Sequence, residues 1–153
     1  MRLAEASDAD SLTRLINAAF SVERFFLDSD RLDIDEVRRR LAAGAFLIEE
    51  DRDALLGCVY IEIRGERGYI GLLSVDPARQ RNGLGKRMMA AAEDRCHKQG
   101  CRFVDLQIVN IREELPGFYR SLGYTETGVA PFPADVFTKM PCHFVNMSKP
   151  LPL

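Results

Sequence analysis

Apolar and polar residues follow two different patterns along this chain, and each pattern predicts one type of element. In four segments the apolar positions recur every three or four residues, which is typical of amphipathic helices. These predicted helices cover residues 8–20, 34–43, 84–100 and 113–122.

Alternating or continuous apolar runs predict seven strands. They cover residues 2–6, 45–49, 55–63, 69–75, 102–109, 124–129 and 142–147. The resulting order, β-α-α-β-β-β-α-β-α-β-β, predicts an α/β protein with a mixed sheet and helices on its faces. Neither repeats nor low-complexity linkers interrupt this order, so residues 1–153 are predicted to form a single domain.

The dipeptide Gly65-Glu66 separates two of these strands and predicts a two-residue β-hairpin turn. Across such a turn, residues whose numbers add to the same value face each other, which places Glu62 opposite Tyr69. Strand alternation then predicts that Glu62 shares a sheet face with Tyr69, Leu73 and Val75.

The nine residues from Arg79 to Arg87 join a strand to a helix through a glycine-rich, cationic turn. Gly83 and Gly85 have no Cβ atom to keep a ligand away from the backbone. Free N–H groups at a helix start, together with the helix dipole and nearby cations, favour an anion. The turn therefore predicts a phosphate site, and the alternative is a turn whose glycines serve only close packing.

Two common phosphate motifs do not match this turn. A P-loop requires glycine five residues before Gly85 and serine or threonine after Lys86, but the chain has Gln80 and Arg87 at those positions. A dinucleotide fingerprint requires a third small residue where Met88 stands. A nucleotide-binding function is therefore disfavoured.

Composition narrows the class of protein. The chain has 153 residues, a net charge of -2 and 46% hydrophobic residues, which argues against a broad basic surface for nucleic acid. No apolar run reaches the length of a membrane span and the first residues lack a signal-peptide core, so we expect a cytoplasmic protein. The four cysteines and two histidines have no metal-ligand spacing, so no metal site is predicted.

Two blocks of sequence resemble the GNAT superfamily of acetyl-CoA-dependent N-acetyltransferases. Residues 80–85, Gln-Arg-Asn-Gly-Leu-Gly, resemble the Gln/Arg-x-x-Gly-x-Gly/Ala signature of that superfamily. Residues 110–124 resemble its later segment, in which a helix carries Phe-Tyr before Leu-Gly-Phe/Tyr. The predicted element order is also that of the GNAT fold, a mostly antiparallel mixed sheet flanked by helices.

The resemblance implies that the main chain of a strand end and of the turn binds acetyl-CoA. It implies that the Val75 N–H polarises the acetyl carbonyl and that Tyr119 protonates the leaving thiolate. The implied binding residues are Leu73, Ser74, Val75, Gln80, Arg81, Asn82, Gly83, Leu84, Gly85, Lys86, Asn110 and Tyr119.

An amine acceptor must lose a proton before it attacks, so a base is needed. Some superfamily members place a glutamate where this chain has Tyr69. Because Glu62 is predicted opposite Tyr69, we expect Glu62 to act as the base, with a pKa raised by burial. A water chain or an acid in segment 23–35 is the alternative.

The resemblance implies that the acceptor binds between segments 22–33 and 128–141. Acids in the first segment could bind an amine, and Arg24 or Arg31 could bind a carboxylate. The same residues are equally compatible with a solvated loop that binds nothing. Phe132 and Phe137 leave open a substrate lid or a contact between two copies of the chain. The leading interpretation is acetylation of a small-molecule primary amine. The alternatives are acetylation of a protein or peptide amine and a non-catalytic CoA-binding module.

Overall fold

The computed structural model describes residues 1–79 and 83–153, and the elements follow the predicted order. The strands are β1 Arg2–Leu3, β2 Ala45–Asp51, β3 Ala54–Arg64, β4 Arg67–Val75, β5 Phe103–Val109, β6 Thr125–Pro131 and β7 His143–Pro150. The α-helices are α1 Ala9–Ala19, α2 Ile34–Ala43, α3 Leu84–Lys98 and α4 Leu115–Ser121. A 3₁₀ turn, Phe20–Phe25, follows α1 and was not predicted.

The described strands form one seven-stranded sheet in the order β1-β2-β3-β4-β5-β7-β6. Neighbouring strands are antiparallel except β4 and β5, which run parallel. The α/β class and the mostly antiparallel mixed sheet are therefore confirmed. Within the described chain, no helix combines the length and the apolar character needed to cross a bilayer.

The core lies on both faces of the sheet. On one face α3 packs against the central strands through a cluster that includes Val59, Ile70 and Met88. On the other face α1 and α2 cover a second cluster, which includes Leu12 and Val37. The sheet is therefore covered by helices on both faces.

Ion pairs of Arg2 connect the N-terminal strand to its neighbours. The Arg2 guanidinium donates to both Asp8 oxygens at 3.0 Å and to Glu50 Oε1 at 2.9 Å. Asp8 also accepts a 2.7 Å bond from the Glu5 N–H, and its pKa is lowered mainly by the Arg2 hydrogen bonds. Asp8 thus connects β1 to the start of α1.

A β-bulge divides β4 into two halves. The predicted register is confirmed up to Gly71, with Glu62 opposite Tyr69, and it then shifts by one residue at Leu72, whose φ is 53°. Beyond the bulge Leu73 and Val75 pack on the α3 face, whereas Tyr69 packs on the opposite face. The prediction that Leu73 and Val75 share a face with Glu62 is therefore wrong, because one extra residue reverses strand alternation.

Candidate active site

A cleft opens where β4 and β5 separate. The two strands pair only at three positions, the last of which places Tyr69 opposite Asp105. Beyond Tyr69 they enclose a cavity of about 320 Å³, here called the central cavity. Residues of β4, β5, the 3₁₀ turn, α2, α4 and the loops before both helices line it, including Tyr119, Glu23, Arg31, Arg40 and Arg112.

A second cavity, of about 520 Å³, lies at the N-terminus of α3 and is here called the helix cavity. Its walls are the end of β4, the start of α3 and one face of α4. Four residues line both cavities, namely Phe20, Leu73, Arg112 and Leu115. The two cavities are therefore adjacent, so a ligand in one can reach a ligand in the other.

The helix cavity has the features that a pyrophosphate requires. Gly83 is the N-cap of α3 in the left-handed conformation, with φ 68°, so the first N–H groups of the helix follow directly on a glycine. A Cβ atom on Gly85 would point among Leu73, Val75 and Phe118 at 3.8–3.9 Å, where the cavity now has free space. Lys86 lines the same cavity.

The turn residues predicted to bind acetyl-CoA are only partly covered by the structure. Gln80, Arg81 and Asn82 lie outside the described residues. Leu84 is buried at the first position of α3 and belongs to the core cluster that α3 forms, so only its main chain suits a ligand. The predicted cradle is thus placed beside the helix cavity at positions 83, 85 and 86.

The end of β4 forms one wall of this site. Leu73 and Val75 both line the helix cavity, as main-chain binding of a pantetheine arm would require. Ser74 is buried and its hydroxyl donates to the Leu72 carbonyl at 2.9 Å, so its side chain serves the bulge and only its main chain suits a ligand. The predicted main-chain roles of Leu73, Ser74 and Val75 in binding acetyl-CoA stay predictions.

Tyr119 lies on α4 and lines the central cavity next to Leu115. Its ring packs edge-on against Phe118 at 5.0 Å and against Tyr124 at 5.9 Å between centroids. Burial raises the pKa of Tyr119 to about 12, because a phenolate would lose hydration there. The hydroxyl therefore stays protonated at neutral pH, as a proton donor must.

Glu62 is placed differently from what its predicted role requires. It lines neither cavity, and its Oε1 accepts a 2.7 Å hydrogen bond from the Tyr60 hydroxyl while its Oε2 pairs with Arg64. The Tyr60 hydrogen bond and then the Arg64 guanidinium lower the pKa of Glu62. The expected raised pKa is therefore wrong, because partners that stabilise the carboxylate outweigh its modest loss of hydration.

Glu23 is a candidate that the strand pattern did not identify. It lies in the 3₁₀ turn, is only 4% exposed and lines the central cavity together with Tyr119. Its Oε2 accepts a 2.9 Å bond from Arg112, while its Oε1 is buried without a hydrogen-bond partner. From the sequence it was included only within the alternative base, an acid in segment 23–35, and nothing in the sequence distinguished it from the other acids there.

Asn110 is not brought to either cavity. Its side-chain oxygen accepts a 2.8 Å bond from the His143 N–H, and its own N–H donates to the His143 carbonyl at 2.9 Å. These bonds join the end of β5 to β7, which gives Asn110 a structural role. This placement does not support the predicted contact of Asn110 with acetyl-CoA.

The two segments expected to hold the acceptor pack against each other. Phe26 and Phe132 are 6.5 Å apart between ring centroids, and the Lys139 N–H donates to the Phe26 carbonyl at 2.9 Å. Arg24 pairs with Asp30 at 2.6 Å, so its guanidinium is already engaged. Phe137 is 75% exposed, and its role as a lid or as a contact between copies stays a prediction.

Comparison with known proteins gives a consistent result. The model of the acetyltransferase (GNAT) family matches residues 9–124. A mycothiol acetyltransferase from Segniliparus rotundus is 28% identical over 130 residues, which are 77% of this chain and 48% of that protein. Glucosamine 6-phosphate N-acetyltransferase 1 from Oryza sativa subsp. japonica is 33% identical over 91 residues, 60% of this chain and 48% of that protein.

This chain thus spans about half the length of either relative. Among solved structures, an aminoglycoside 6'-N-acetyltransferase complexed with coenzyme A has a TM-score of 0.77 at 18% identity. That match covers 100% of this chain and 99% of the other, so the two proteins share a fold.

Proposed function

This chain belongs to the acetyltransferase (GNAT) family, whose members use acetyl-CoA, and we propose that it is an N-acetyltransferase acting on a small-molecule primary amine. In this proposal acetyl-CoA occupies the helix cavity and the amine occupies the central cavity. The reaction joins the amine nitrogen directly to the acetyl carbon and releases the CoA thiol. The two named relatives acetylate small molecules according to their names, which supports this substrate class.

The observation that carries the proposal is the pairing of a proton donor and a buried acid in the central cavity. Tyr119 and Glu23 both line it, and it adjoins the helix cavity through Leu73 and Leu115. A thiolate leaves more readily when a donor protonates it, and an ammonium must lose a proton before it attacks. One cavity therefore holds candidates for both proton transfers.

The proposed roles follow from these positions. Tyr119 gives its proton to the departing thiolate, and Glu23 takes a proton from the amine directly or through water. The main-chain N–H of Val75 polarises the acetyl carbonyl, a type of contact worth about 3 kcal/mol in comparable sites. Glu62, which the sequence analysis named as the base, is retained as the competing assignment to be tested against Glu23.

The dimensions of the central cavity favour a small acceptor over a polypeptide. A volume of about 320 Å³ lies at the lower end of the range for small-molecule sites. Arg31 and Glu23 form a 4.0 Å ion pair in its lining, so part of this volume is bounded by charged side chains. Acetylation of a protein or peptide amine is the alternative that the assay must exclude.

The test is release of CoA thiol from acetyl-CoA with a panel of amines, amino acids and peptides. We expect acceptor-dependent release with at least one small amine and a large loss with Tyr119→Phe, which retains the ring packing. Binding of CoA without thiol release for any acceptor would identify a non-catalytic CoA-binding module. Release with peptides alone would assign the protein alternative.

A further inference from the structure

Two oppositely charged side chains in the central cavity form a 4.0 Å ion pair, yet each keeps one buried atom without a hydrogen-bond partner in the described part of the chain. Among the described residues, Glu23 Oε1 and Arg31 Nε are buried side-chain atoms without a hydrogen-bond partner, and they lie 4.0 Å apart. Both residues line the central cavity. A separation of 4.0 Å is too long for a hydrogen bond between the two groups.

Neighbouring contacts keep both side chains in place. The second oxygen of Glu23 is held by Arg112 at 2.9 Å, and the Arg31 guanidinium lies over the Phe20 ring at 5.4 Å from its centroid. A buried charged atom without a partner costs free energy, so a ligand that satisfies both atoms would bind favourably. Such a ligand must present a donor to Glu23 and an acceptor to Arg31.

The charged residues of the central cavity also favour a ligand that carries both a donor and an acceptor. Three guanidinium groups line the cavity, and two of them already have acidic partners: Arg40 pairs with Glu36, and Arg112 pairs with Glu23 and Glu114. A simple amine would satisfy Glu23 Oε1 but would leave Arg31 Nε without an acceptor, which is a mismatch in hydrogen bonding. An anionic group attached to the acceptor removes the mismatch.

We infer that the acceptor is a free amino acid, whose ammonium binds Glu23 Oε1 and whose carboxylate binds Arg31 Nε. This inference rests on the proposed function. An α-amino acid carries both groups on one carbon, so they are as closely spaced as these two protein atoms. An amino sugar phosphate separates its charges by several bonds and matches this spacing less well.

The amino-acid side chain has room beyond Arg40. The central cavity shares Arg40, Tyr69, Leu106 and Gln107 with an adjoining open groove of about 500 Å³. The remaining groove residues are mostly polar or charged, namely Arg64, Asp105, Thr127, Asn146 and Met147. A polar amino-acid side chain therefore suits this groove better than an apolar one.

The experiment compares each amino acid with its carboxamide and with its decarboxylated amine in the thiol-release assay. We expect kcat/KM for the preferred amino acid to exceed that for its carboxamide by about tenfold or more, the effect of losing one charge-assisted bond. Arg31→Gln should reduce this ratio towards one. The control Arg38→Gln, an exposed arginine on α2, should leave the ratio at the parent value.

A turnover-independent measurement accompanies the assay. With the Tyr119→Phe protein and CoA present, calorimetry should show the amino acid binding more tightly than its carboxamide, and Arg31→Gln should remove the difference. If Arg31→Gln does not fold, Arg31→Met replaces it, and the same loss of preference is expected. Methionine is similar in length to the arginine stem but has neither the charge nor a donor for the carboxylate.

The failures of the two proposals are distinguishable. No thiol release with any amine would overturn the proposed function. Release from carboxamides or decarboxylated amines as efficient as from the amino acids, and unchanged by Arg31→Gln, would overturn this inference and leave the acetyltransferase proposal standing.

Discussion

Arg112 and Glu23 form a 2.9 Å ion pair although 89 positions separate them in the chain. Arg112 follows β5, and its Nε also donates to Glu114 at 2.7 Å. Glu23 belongs to the 3₁₀ turn after α1. The pair therefore joins the two halves of the chain at the wall of the central cavity, and it fixes the carboxylate that we propose faces the amine.

The first prediction concerns the identity of the base. Glu23→Gln keeps a hydrogen-bond acceptor for Arg112 but cannot take a proton, so turnover should fall by about 10²-fold or more and the remaining rate should rise with pH. Glu62→Gln, whose carboxylate lines neither cavity, should change turnover far less. Steady-state rates measured across pH decide which of the two residues is the base. A larger loss of turnover in Glu62→Gln than in Glu23→Gln would assign the base to Glu62.

The second prediction concerns the proton donor. Tyr119→Phe removes only the hydroxyl, so the affinity for acetyl-CoA should change little while turnover falls by about 10²-fold or more. Because burial raises the pKa of Tyr119 to about 12, the parent should show no loss of rate from Tyr119 ionisation at pH 7–9. Unchanged single-turnover rates in the variant would return Tyr119 to a packing role.

A third prediction places CoA at the helix cavity. Gly85→Glu should put a carboxylate beside Leu73 and Val75, where phosphate oxygens are proposed, and should weaken CoA binding severely. Gly128→Glu makes the same change at an exposed β6 position where a Cβ meets no atom within 4 Å, and it should bind CoA like the parent. Calorimetry on both folded variants measures this, and equal affinities would contradict the site.

The fourth prediction concerns stability and pH. The pKa of Asp8 is lowered in the folded protein, so its pairing with Arg2 stabilises the fold. This stabilisation is fully present at pH values above the unfolded-state pKa of about 3.9. It is lost as the pH falls through the folded-state pKa. Asp8→Asn should lower the free energy of unfolding at pH 7 by about 0.5–1 kcal/mol. That difference should disappear in strong acid.

The matched control for Asp8→Asn is Asp135→Asn, at an exposed loop position. Denaturant unfolding at pH 7 and at pH 2–3 provides the measurement. Equal destabilisation by both variants at pH 7 would show that the Arg2 pair contributes nothing.

Local chemistry made much of the fold predictable. Helix α2 was predicted with its observed bounds, Ile34–Ala43, because an aspartate precedes it, a glycine follows it and its apolar spacing is regular. The β3–β4 turn and its register followed from Gly65-Glu66. Helix α4 is shorter than predicted and begins at Leu115, since Pro116 is tolerated only in the first turn of a helix.

The site was predictable only in part, because its key features depend on long-range packing. Tyr119 could be named from a motif, but Glu23 could not be separated from the other acids of segment 23–35 until the 3₁₀ turn placed it beside Arg112. The separation of β4 from β5 after Tyr69 follows from no local pattern, since both strands remain apolar beyond that point. The reversal of side-chain faces likewise depends on the backbone of a single residue, Leu72.

The bulge at Leu72 changes which face of the sheet the following side chains of β4 occupy. Before it, Tyr69 is presented to the side where the acceptor is proposed, and after it Leu73 and Val75 are presented to the α3 side. In a regular strand of the same sequence, Leu73 and Val75 would face the same side as Tyr69, although every side chain would still be there. The backbone conformation of one residue, Leu72, therefore decides which side chains of β4 reach each face of the sheet.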